Sequence, residues 1–154
     1  MIKSNDSSGH SALRRGRWSA PGQAYLITFT THQRRPWFSN PELAISFCRT
    51  LNTLKKHKDV GLLAWVLMPD HWHGLIQLGV RDSLPDWVAC CKSLTTKRLP
   101  ASLPRPIWAR AFHDHAVRGD EDLQQIARYI VLNPVRAGLA SRCGLWPWWD
   151  AAWI

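Results

Sequence analysis

The sequence lacks any long hydrophobic segment. No apolar run in its 154 residues approaches the roughly 18 residues that a membrane-spanning helix needs, and the start, MIKSNDSSGH, has no hydrophobic stretch typical of signal peptides. Membrane insertion and secretion are therefore not expected. The chain is also too short for a closed barrel of alternating strands and helices, so barrel metallohydrolases are excluded and a single domain is expected.

Acidic residues are scarce relative to basic ones, and the cysteines lack a metal-binding spacing. There are 11 Asp and Glu against 20 Lys and Arg, which gives a formal net charge of +9. Such an excess favours a polyanionic partner, either nucleic acid or an anionic membrane surface. The 4 cysteines include adjacent Cys90 and Cys91 but no C-x-x-C pair, so we expect reduced thiols in a cytoplasmic protein.

Tyrosine is rare, whereas tryptophan is abundant: the chain has 2 Tyr and 10 Trp. Tyr25 lies on the apolar side of the alternating segment AYLITFTT and is expected in the core. If a tyrosine reacts in this protein, it is therefore Tyr129. The tryptophans could fill the core or stack on nucleic-acid bases, and composition does not separate these roles.

A β-hairpin is predicted for residues 62–78, LLAWVLMPDHWHGLIQL. Pro69 and Asp70 form the turn, and the second strand begins at His71. Because alternate side chains of a strand share a face, His71 and His73 lie on the same side and could bind one metal ion. An isolated His-x-His is also typical of surface or hydrogen-bonded histidines, so the pattern alone leaves both interpretations open.

The remaining patterns predict an α+β fold with the element order βαββαβ followed by a C-terminal helix. The predicted strands are 24–31, 62–68, 71–78 and 108–118, the first two helices are 40–58 and 81–99, and residues 119–122 open the third helix. With right-handed crossovers, the first two helices would cover one face of a four-stranded antiparallel sheet. The third helix could then lie on the other face, over His71 and His73.

The third helix carries a polar stripe beside its apolar one. Its apolar stripe is Leu123, Ile126, Ala127 and Ile130. Tyr129 stands off this row, and Asn133 follows one turn later on the same side, although Pro134 makes the helix end uncertain. Arg136 is expected to cap the helix C-terminus rather than to touch DNA. An off-core tyrosine is usually surface packing, so the pattern alone does not make Tyr129 a nucleophile.

Together, these motifs resemble the single-tyrosine HUH transposases, and more narrowly the REP-associated tyrosine transposases. The resemblance rests on MPDHWHGLIQL (68–78) and ARYIVLNPVRAGL (127–139), with support from YLITFTTHQRRPWF, AFHDHAVR and WPWWDAAWI. It implies a ferredoxin-like, RRM-like sheet. We accordingly divide the chain into a flexible basic arm at 1–17, the HUH transposase catalytic domain at 18–140 and a Trp-rich C-terminal tail at 141–154.

The resemblance also implies a chemistry. It matches His71 and His73 to a metal-binding pair and Asn133 to a third ligand, while Tyr129 matches the nucleophile. The implied cofactor is Mg²⁺ or Mn²⁺, with Zn²⁺ on the histidines alone as the alternative. The implied reaction is cleavage and rejoining of single-stranded DNA at a REP-type hairpin through a 5′-phosphotyrosine. With one tyrosine, either the same site carries out cleavage and strand transfer in turn, or the two steps are divided between the protomers of a homodimer.

Additional DNA contacts are expected from basic residues and from a second His-x-His motif. Arg14, Arg15 and Arg17 in the arm would meet phosphates. His113 is assigned to DNA, although a hydrogen-bonded pair with His115 and a proton carrier for the tyrosine are alternatives. Two other functions stay open: a non-catalytic single-strand nucleic-acid binding module on the same sheet, and a small zinc hydrolase.

Overall fold

The structure, a computed structural model, describes residues 19–153. Its central element is a five-stranded antiparallel sheet. The strands are β1 (Ala24–Thr30), β2 (Val60–Met68), β3 (His71–Leu78), β4 (His113–Ala116) and β5 (Trp149–Ala151), and the helices are α1 (Pro41–His57), α2 (Leu84–Arg98), α3 (Leu123–Val131) and α4 (Asn133–Arg136). The sheet order is β4-β1-β3-β2-β5. The α+β class is thus confirmed. Arg14, Arg15 and Arg17 lie outside the described residues, so the arm stays a prediction.

The predicted central hairpin is confirmed. Strands β2 and β3 pair from Met68 opposite His71 along their length, with Pro69 and Asp70 in the turn. Trp72 is fully buried on one face of the sheet, where its ring stacks on Phe29 at 5.1 Å. Since neighbouring side chains alternate, His71 and His73 project from the opposite face.

The two faces of the sheet are covered by different helices, as the sequence predicts. The core on the Trp72 face includes buried residues of both long N-terminal helices, namely Leu43, Phe47, Leu51 and Leu54 of α1 and Leu84, Val88 and Cys91 of α2. The core on the other face joins α3 to the sheet through Ala127, Ile130 and Val131, packed with Ala64, Val66 and Leu75. Helix α3 therefore lies on the face that carries the two histidines.

Side-chain caps fix where two of these helices begin. The Asn40 side chain accepts a hydrogen bond from the Glu42 amide at 2.9 Å, directly before α1. The Asp122 carboxylate accepts the Gln124 amide at 2.8 Å and the Gln125 amide at 3.3 Å at the start of α3. Both caps satisfy amides that have no partner within their own helix. The predicted start of α1 is confirmed, whereas α3 begins at Leu123, directly after residues 119–122 that were expected to open it.

Two further predicted boundaries are wrong. Helix α2 begins at Leu84 rather than at residue 81, because the Asp82 carboxylate instead accepts the Asp59 amide at 2.7 Å and the Lys58 ammonium at 3.1 Å. Strand β4 covers only His113–Ala116 rather than 108–118. Trp108 makes an isolated bridge with Thr31, the residue after β1, and the backbone between that bridge and β4 does not continue the ladder.

The prediction of a four-stranded sheet is also wrong, because the Trp-rich segment adds a fifth strand. Strand β5 pairs with β2, with Trp149 opposite Val66 and Ala151 opposite Ala64. The Trp146 indole N–H donates to the Leu67 carbonyl at 3.0 Å. These contacts hold the segment along the β2 edge of the sheet. Within residues 19–153, no helix is long and apolar enough to cross a membrane.

Candidate active site on the β3–α3 face

His71, at the start of β3, is oriented by the turn that precedes it. Its Nδ1 lies 2.7 Å from the Asp70 carboxylate, and the same carboxylate binds the Arg34 guanidinium at 2.9 Å. Because an ionised carboxylate only accepts hydrogen bonds, the His71 Nδ1 donates and the Nε2 lone pair is left for another partner. A carboxylate that accepts a hydrogen bond from one ring nitrogen fixes both the tautomer and the ring orientation of a metal-binding histidine.

The neighbouring strand β1 orients His73. Thr28 of β1 lies opposite His73 in the sheet, and the Thr28 hydroxyl hydrogen-bonds the His73 Nδ1. Burial lowers the pKa of the His73 imidazole to about 4, and the positive charges that His71 and Arg136 can carry act in the same direction. The ring is therefore neutral at neutral pH, which is the state that a metal ligand requires.

Tyr129 of α3 lies over this histidine. The centroids of the Tyr129 and His73 rings are 6.4 Å apart, with the rings edge to face at 71°. Tyr129 is 55% exposed, so its ring is held from one side while remaining accessible to a substrate. The structure thus brings together His73 and Tyr129, which are widely separated in the sequence, as the predicted site required. Their chemical roles stay predictions.

Arg136 connects Tyr129 to Asn133. Its guanidinium lies 3.7 Å from the centroid of the Tyr129 ring, donates to the Tyr129 carbonyl at 2.6 Å and donates to the Asn133 side-chain oxygen at 2.9 Å. The predicted helix cap by Arg136 is confirmed. The stacking on the tyrosine was not predicted, because it depends on the break at Leu132, where α3 ends before α4 begins. Asn133 therefore starts a new short helix rather than continuing α3.

The two histidines fit a divalent metal ion. Each ring has its Nδ1 engaged by a partner, Asp70 for His71 and Thr28 for His73. Within residues 19–153, no group of three or more His, Cys, Asp or Glu side chains is arranged to hold a metal. The Asn133 amide oxygen is of a type that suits hard cations, although Arg136 already binds it. Thr28 and Asp70 are functional candidates that sequence reasoning missed, since only the strand register reveals the first.

The second His-x-His motif does not form a hydrogen-bonded pair with itself. On β4, His113 lies opposite Thr28 and His115 lies opposite Leu26. The His115 Nε2 instead approaches the Glu121 carboxylate at 3.0 Å. His113 is exposed and occupies the same cross-strand row as Thr28 and His73. It therefore faces the same side of the sheet as the site, where its predicted DNA contact stays untested.

All four cysteines are free, in line with the predicted reduced thiols. Burial raises the pKa of the Cys91 thiol to about 12 and that of the Cys48 thiol to about 11. A thiol with such a pKa is almost entirely protonated at neutral pH and is a poor nucleophile. Cys48 and Cys91 are thus poor candidates for a nucleophile.

Comparison with known proteins identifies a family and two relatives. The family model described as "Transposase IS200 like" matches residues 20–133, which include the histidine pair, Tyr129 and Asn133. A REP-associated tyrosine transposase of Escherichia coli strain K12 is 27% identical over 131 residues, covering 85% of this chain and 78% of the relative. A putative REP-associated tyrosine transposase of Haemophilus influenzae is 30% identical over 105 residues, 60% of each chain.

Two solved structures share the fold. A REP-associated tyrosine transposase bound to a REP hairpin superimposes with a TM-score of 0.74 at 24% identity, covering 86% of this chain and 79% of that one. A putative transposase from Deinococcus radiodurans R1 superimposes with a TM-score of 0.55 at 23% identity, covering 75% and 93%. Such similarities independently support the arrangement of sheet and helices described above.

Proposed function

Because this chain belongs to the family of IS200-like transposases, we propose that it is a metal-dependent endonuclease and transposase acting on single-stranded DNA at REP-type hairpins. The observation that carries the proposal is the contact between the rings of Tyr129 and His73, which lie edge to face with centroids 6.4 Å apart while Tyr129 stays exposed to solvent. A binding module without catalysis gives no reason for an exposed phenol to lie against a half-buried, neutral imidazole that Thr28 holds through its Nδ1.

The proposed step is attack of the Tyr129 hydroxyl oxygen on a DNA phosphorus. A bond forms between that oxygen and the phosphorus while the bond from the phosphorus to the 3′ oxygen breaks, leaving a 5′-phosphotyrosine and a free 3′-hydroxyl. The phenol proton leaves to solvent or a nearby base, and the departing 3′ oxygen takes up a proton. Because one phosphodiester replaces another, rejoining is the same step reversed and needs no nucleotide cofactor.

Three side chains of this chain prepare that step. Asp70 and Thr28 each engage the Nδ1 of one imidazole, while Arg136 packs on the Tyr129 ring and limits its rotation. A divalent ion on His71 and His73, with Asn133 as a third ligand, would neutralise phosphate charge and promote ionisation of the phenol. Mg²⁺ or Mn²⁺ is the proposed ion.

The proposed partner is DNA that contains a hairpin. Two relatives are REP-associated tyrosine transposases by name, and one solved structure of similar fold is bound to a REP hairpin. The charge of +9 suits a polyanion. Arg14, Arg15 and Arg17 are proposed to meet phosphates, and His113 a DNA group near the site. A cytoplasmic location, a homodimer and a ferredoxin-like arrangement of strands β1 to β4 are also proposed.

The proposal is tested with a labelled hairpin oligonucleotide and Mn²⁺. A protein–DNA adduct that survives SDS is expected, since a phosphotyrosine linkage is covalent. Hairpin binding without any adduct would favour the runner-up, a non-catalytic single-strand binding module. Hydrolysis of other esters with no adduct would favour the zinc hydrolase.

Thr28→Val is expected to weaken Mn²⁺ binding by about 10- to 100-fold, the usual cost of removing a partner that orients a metal-binding histidine. Valine keeps the strand propensity and the volume while removing the hydroxyl that bonds His73. Calorimetric titration with Mn²⁺ measures the effect. Thr28→Ser, which restores the hydroxyl, should recover the affinity. Equal Mn²⁺ affinity in wild type and Thr28→Val would contradict the role of this bond.

Mn²⁺ affinity is expected to rise at least about 10-fold when DNA is bound. The protein donors are two imidazoles and an amide, none of which is negatively charged, and divalent hard cations prefer charged oxygen donors. A DNA phosphate supplies the missing charge. Titration of Mn²⁺ into Tyr129→Phe with and without a hairpin measures the difference without turnover. Identical affinities in the two titrations would rule out a shared protein–DNA site.

A further inference from the structure

A tight loop between β1 and α1 carries two consecutive residues in a strained backbone conformation. Gln33 and Arg34 both have a φ of 55°, in the left-handed region that residues other than glycine rarely adopt. The loop therefore keeps this shape at a cost in free energy that its contacts must offset. Strain of this kind is concentrated at functional sites, where it places a particular side chain. In this loop the placed side chain is that of Arg34.

Hydrogen bonds to the hairpin turn hold the loop in this shape. The buried Thr31 hydroxyl lies 2.8 Å from the Arg35 carbonyl oxygen and 3.1 Å from the Asp70 carbonyl oxygen, to which it can donate. The Thr31 amide also donates to the Asp70 carbonyl at 2.9 Å, and the Arg34 amide donates to the Thr31 carbonyl at 3.1 Å. These bonds join the loop to the turn, so Arg34 has a fixed position beside Asp70.

Arg34 holds the carboxylate that orients His71. The Arg34 Nε lies 2.9 Å from one oxygen of the Asp70 carboxylate, Oδ2, and the His71 Nδ1 lies 2.7 Å from the other, Oδ1. Because the carboxylate is planar, fixing one oxygen sets the direction of the other. The Arg34 side chain is 58% exposed, and exposed ion pairs contribute little to the stability of a fold. The main consequence of this ion pair is therefore the orientation of Asp70.

That orientation decides which nitrogen of His71 can bind a metal ion. With the proton on Nδ1, donated to Asp70, the lone pair is on Nε2, whereas the opposite tautomer carries its proton on Nε2. From this geometry we propose that Arg34 is a positioning residue for the metal site. It acts through Asp70 to keep His71 in the tautomer and orientation that present the Nε2 lone pair. This inference rests on the proposed function for the identity of the metal ion.

Arg34→Gln is expected to weaken Mn²⁺ binding by about 3- to 10-fold, less than the loss of roughly 10- to 100-fold that follows removal of a group in direct contact with a metal-binding histidine. The direction separates positioning from simple electrostatics, because removing a positive charge near a cation site would by itself raise the affinity. Arg34→Lys keeps a cation that can pair with Asp70 and should recover most of the affinity. Calorimetric titration measures these changes, and an equal or higher affinity in Arg34→Gln would overturn the proposal.

The matched control is Arg35→Gln, which removes the same charge from the next residue of the loop. The Arg35 guanidinium donates to the Gln33 side chain at 3.2 Å and lies over the Trp37 ring at 5.8 Å. Its removal should leave Mn²⁺ affinity unchanged or slightly higher. A loss equal to that of Arg34→Gln would assign the effect to the loop as a whole and overturn the role of the ion pair. In an Asp70→Ala background, Arg34→Gln should have no further effect, because the connection to His71 is already broken.

A second measurement needs no metal ion. In metal-free protein at about pH 8, where imidazoles are ordinarily neutral, nitrogen-15 NMR should show the His71 proton on Nδ1 in the wild type and in Arg35→Gln. Arg34→Gln should show a mixture of the two tautomers. Wild-type protein that binds no Mn²⁺ and forms no adduct fails the proposed function. An unchanged tautomer in Arg34→Gln fails only this inference.

Discussion

Replacing Tyr129 with phenylalanine is expected to abolish covalent attachment to DNA and to lower strand cleavage by on the order of 10⁴-fold or more, the scale found when an enzyme loses its nucleophile. Phenylalanine keeps the ring that contacts His73 and Arg136 but removes the oxygen that would bond phosphorus. Folding and DNA affinity should therefore be preserved. The measurement is the yield of SDS-resistant adduct with a labelled hairpin and Mn²⁺.

Tyr25→Phe is the matched control, and the two variants together cover both tyrosines of the chain. Tyr25 is 4% exposed in the core, where its hydroxyl accepts the Ala20 amide at 3.2 Å. Loss of that bond should cost about 1 kcal/mol of stability and leave adduct formation intact. An adduct that persists in Tyr129→Phe but disappears in Tyr25→Phe would overturn the assignment of the nucleophile.

Replacing His73 with alanine is expected to remove measurable Mn²⁺ binding and to lower cleavage about 10³-fold, equivalent to the several kcal/mol that a metal contributes to a charged transition state. The imidazole is one of the two nitrogen donors proposed for the metal ion, and it also contacts Tyr129. Calorimetry with Mn²⁺ gives the binding loss separately from activity. Because the ring is largely buried under α3, thermal unfolding should be measured on the same sample.

His115→Ala serves as the control, since it removes a histidine from the second His-x-His, which lies on β4 and is separated from β3 by β1. His115 bonds Glu121 on the exposed edge rather than the site. Its removal should leave Mn²⁺ affinity unchanged. His71→Ala, by contrast, should reproduce the loss seen in His73→Ala, so that a folding defect in one variant does not decide the outcome. Retention of full Mn²⁺ affinity in both β3 variants would exclude a metal site here.

The parts of the structure that depend on local sequence could be predicted. The hairpin follows from two apolar runs around Pro69 and Asp70, and α1 follows from Asn40 and its neighbours, because turn and cap signals act over a few residues. The histidine pair shares a face through simple alternation. Predicting that Tyr129 lies next to His73 required the rules for crossover connections and the family resemblance, because no local sequence pattern relates α3 to β3.

The missed features all depend on contacts between distant segments. Strand β5 was not predicted because a three-residue strand gives no periodicity, and its position depends on pairing with β2. The hydrogen bond from Thr28 to His73 requires the register between β1 and β3. Stacking of Arg136 on Tyr129 depends on the break at Leu132, and a sequence places Arg136 only near the end of the helix.

Trp72, the residue between the two histidines, makes one half of the site much stiffer than the other. Its indole is buried between Phe29 and Trp87, with ring centroids 5.1 Å and 5.6 Å away. A one-residue shift in the register of β3 would move this indole to the face that carries the histidines. The two imidazoles therefore keep their positions until the whole domain unfolds. Tyr129 is more than half exposed near the end of a nine-residue helix, and the Arg136 guanidinium and the His73 ring hold it rather than burial in the core. We therefore expect the Tyr129 side chain to move when DNA of a different shape binds, while the two imidazoles stay in place.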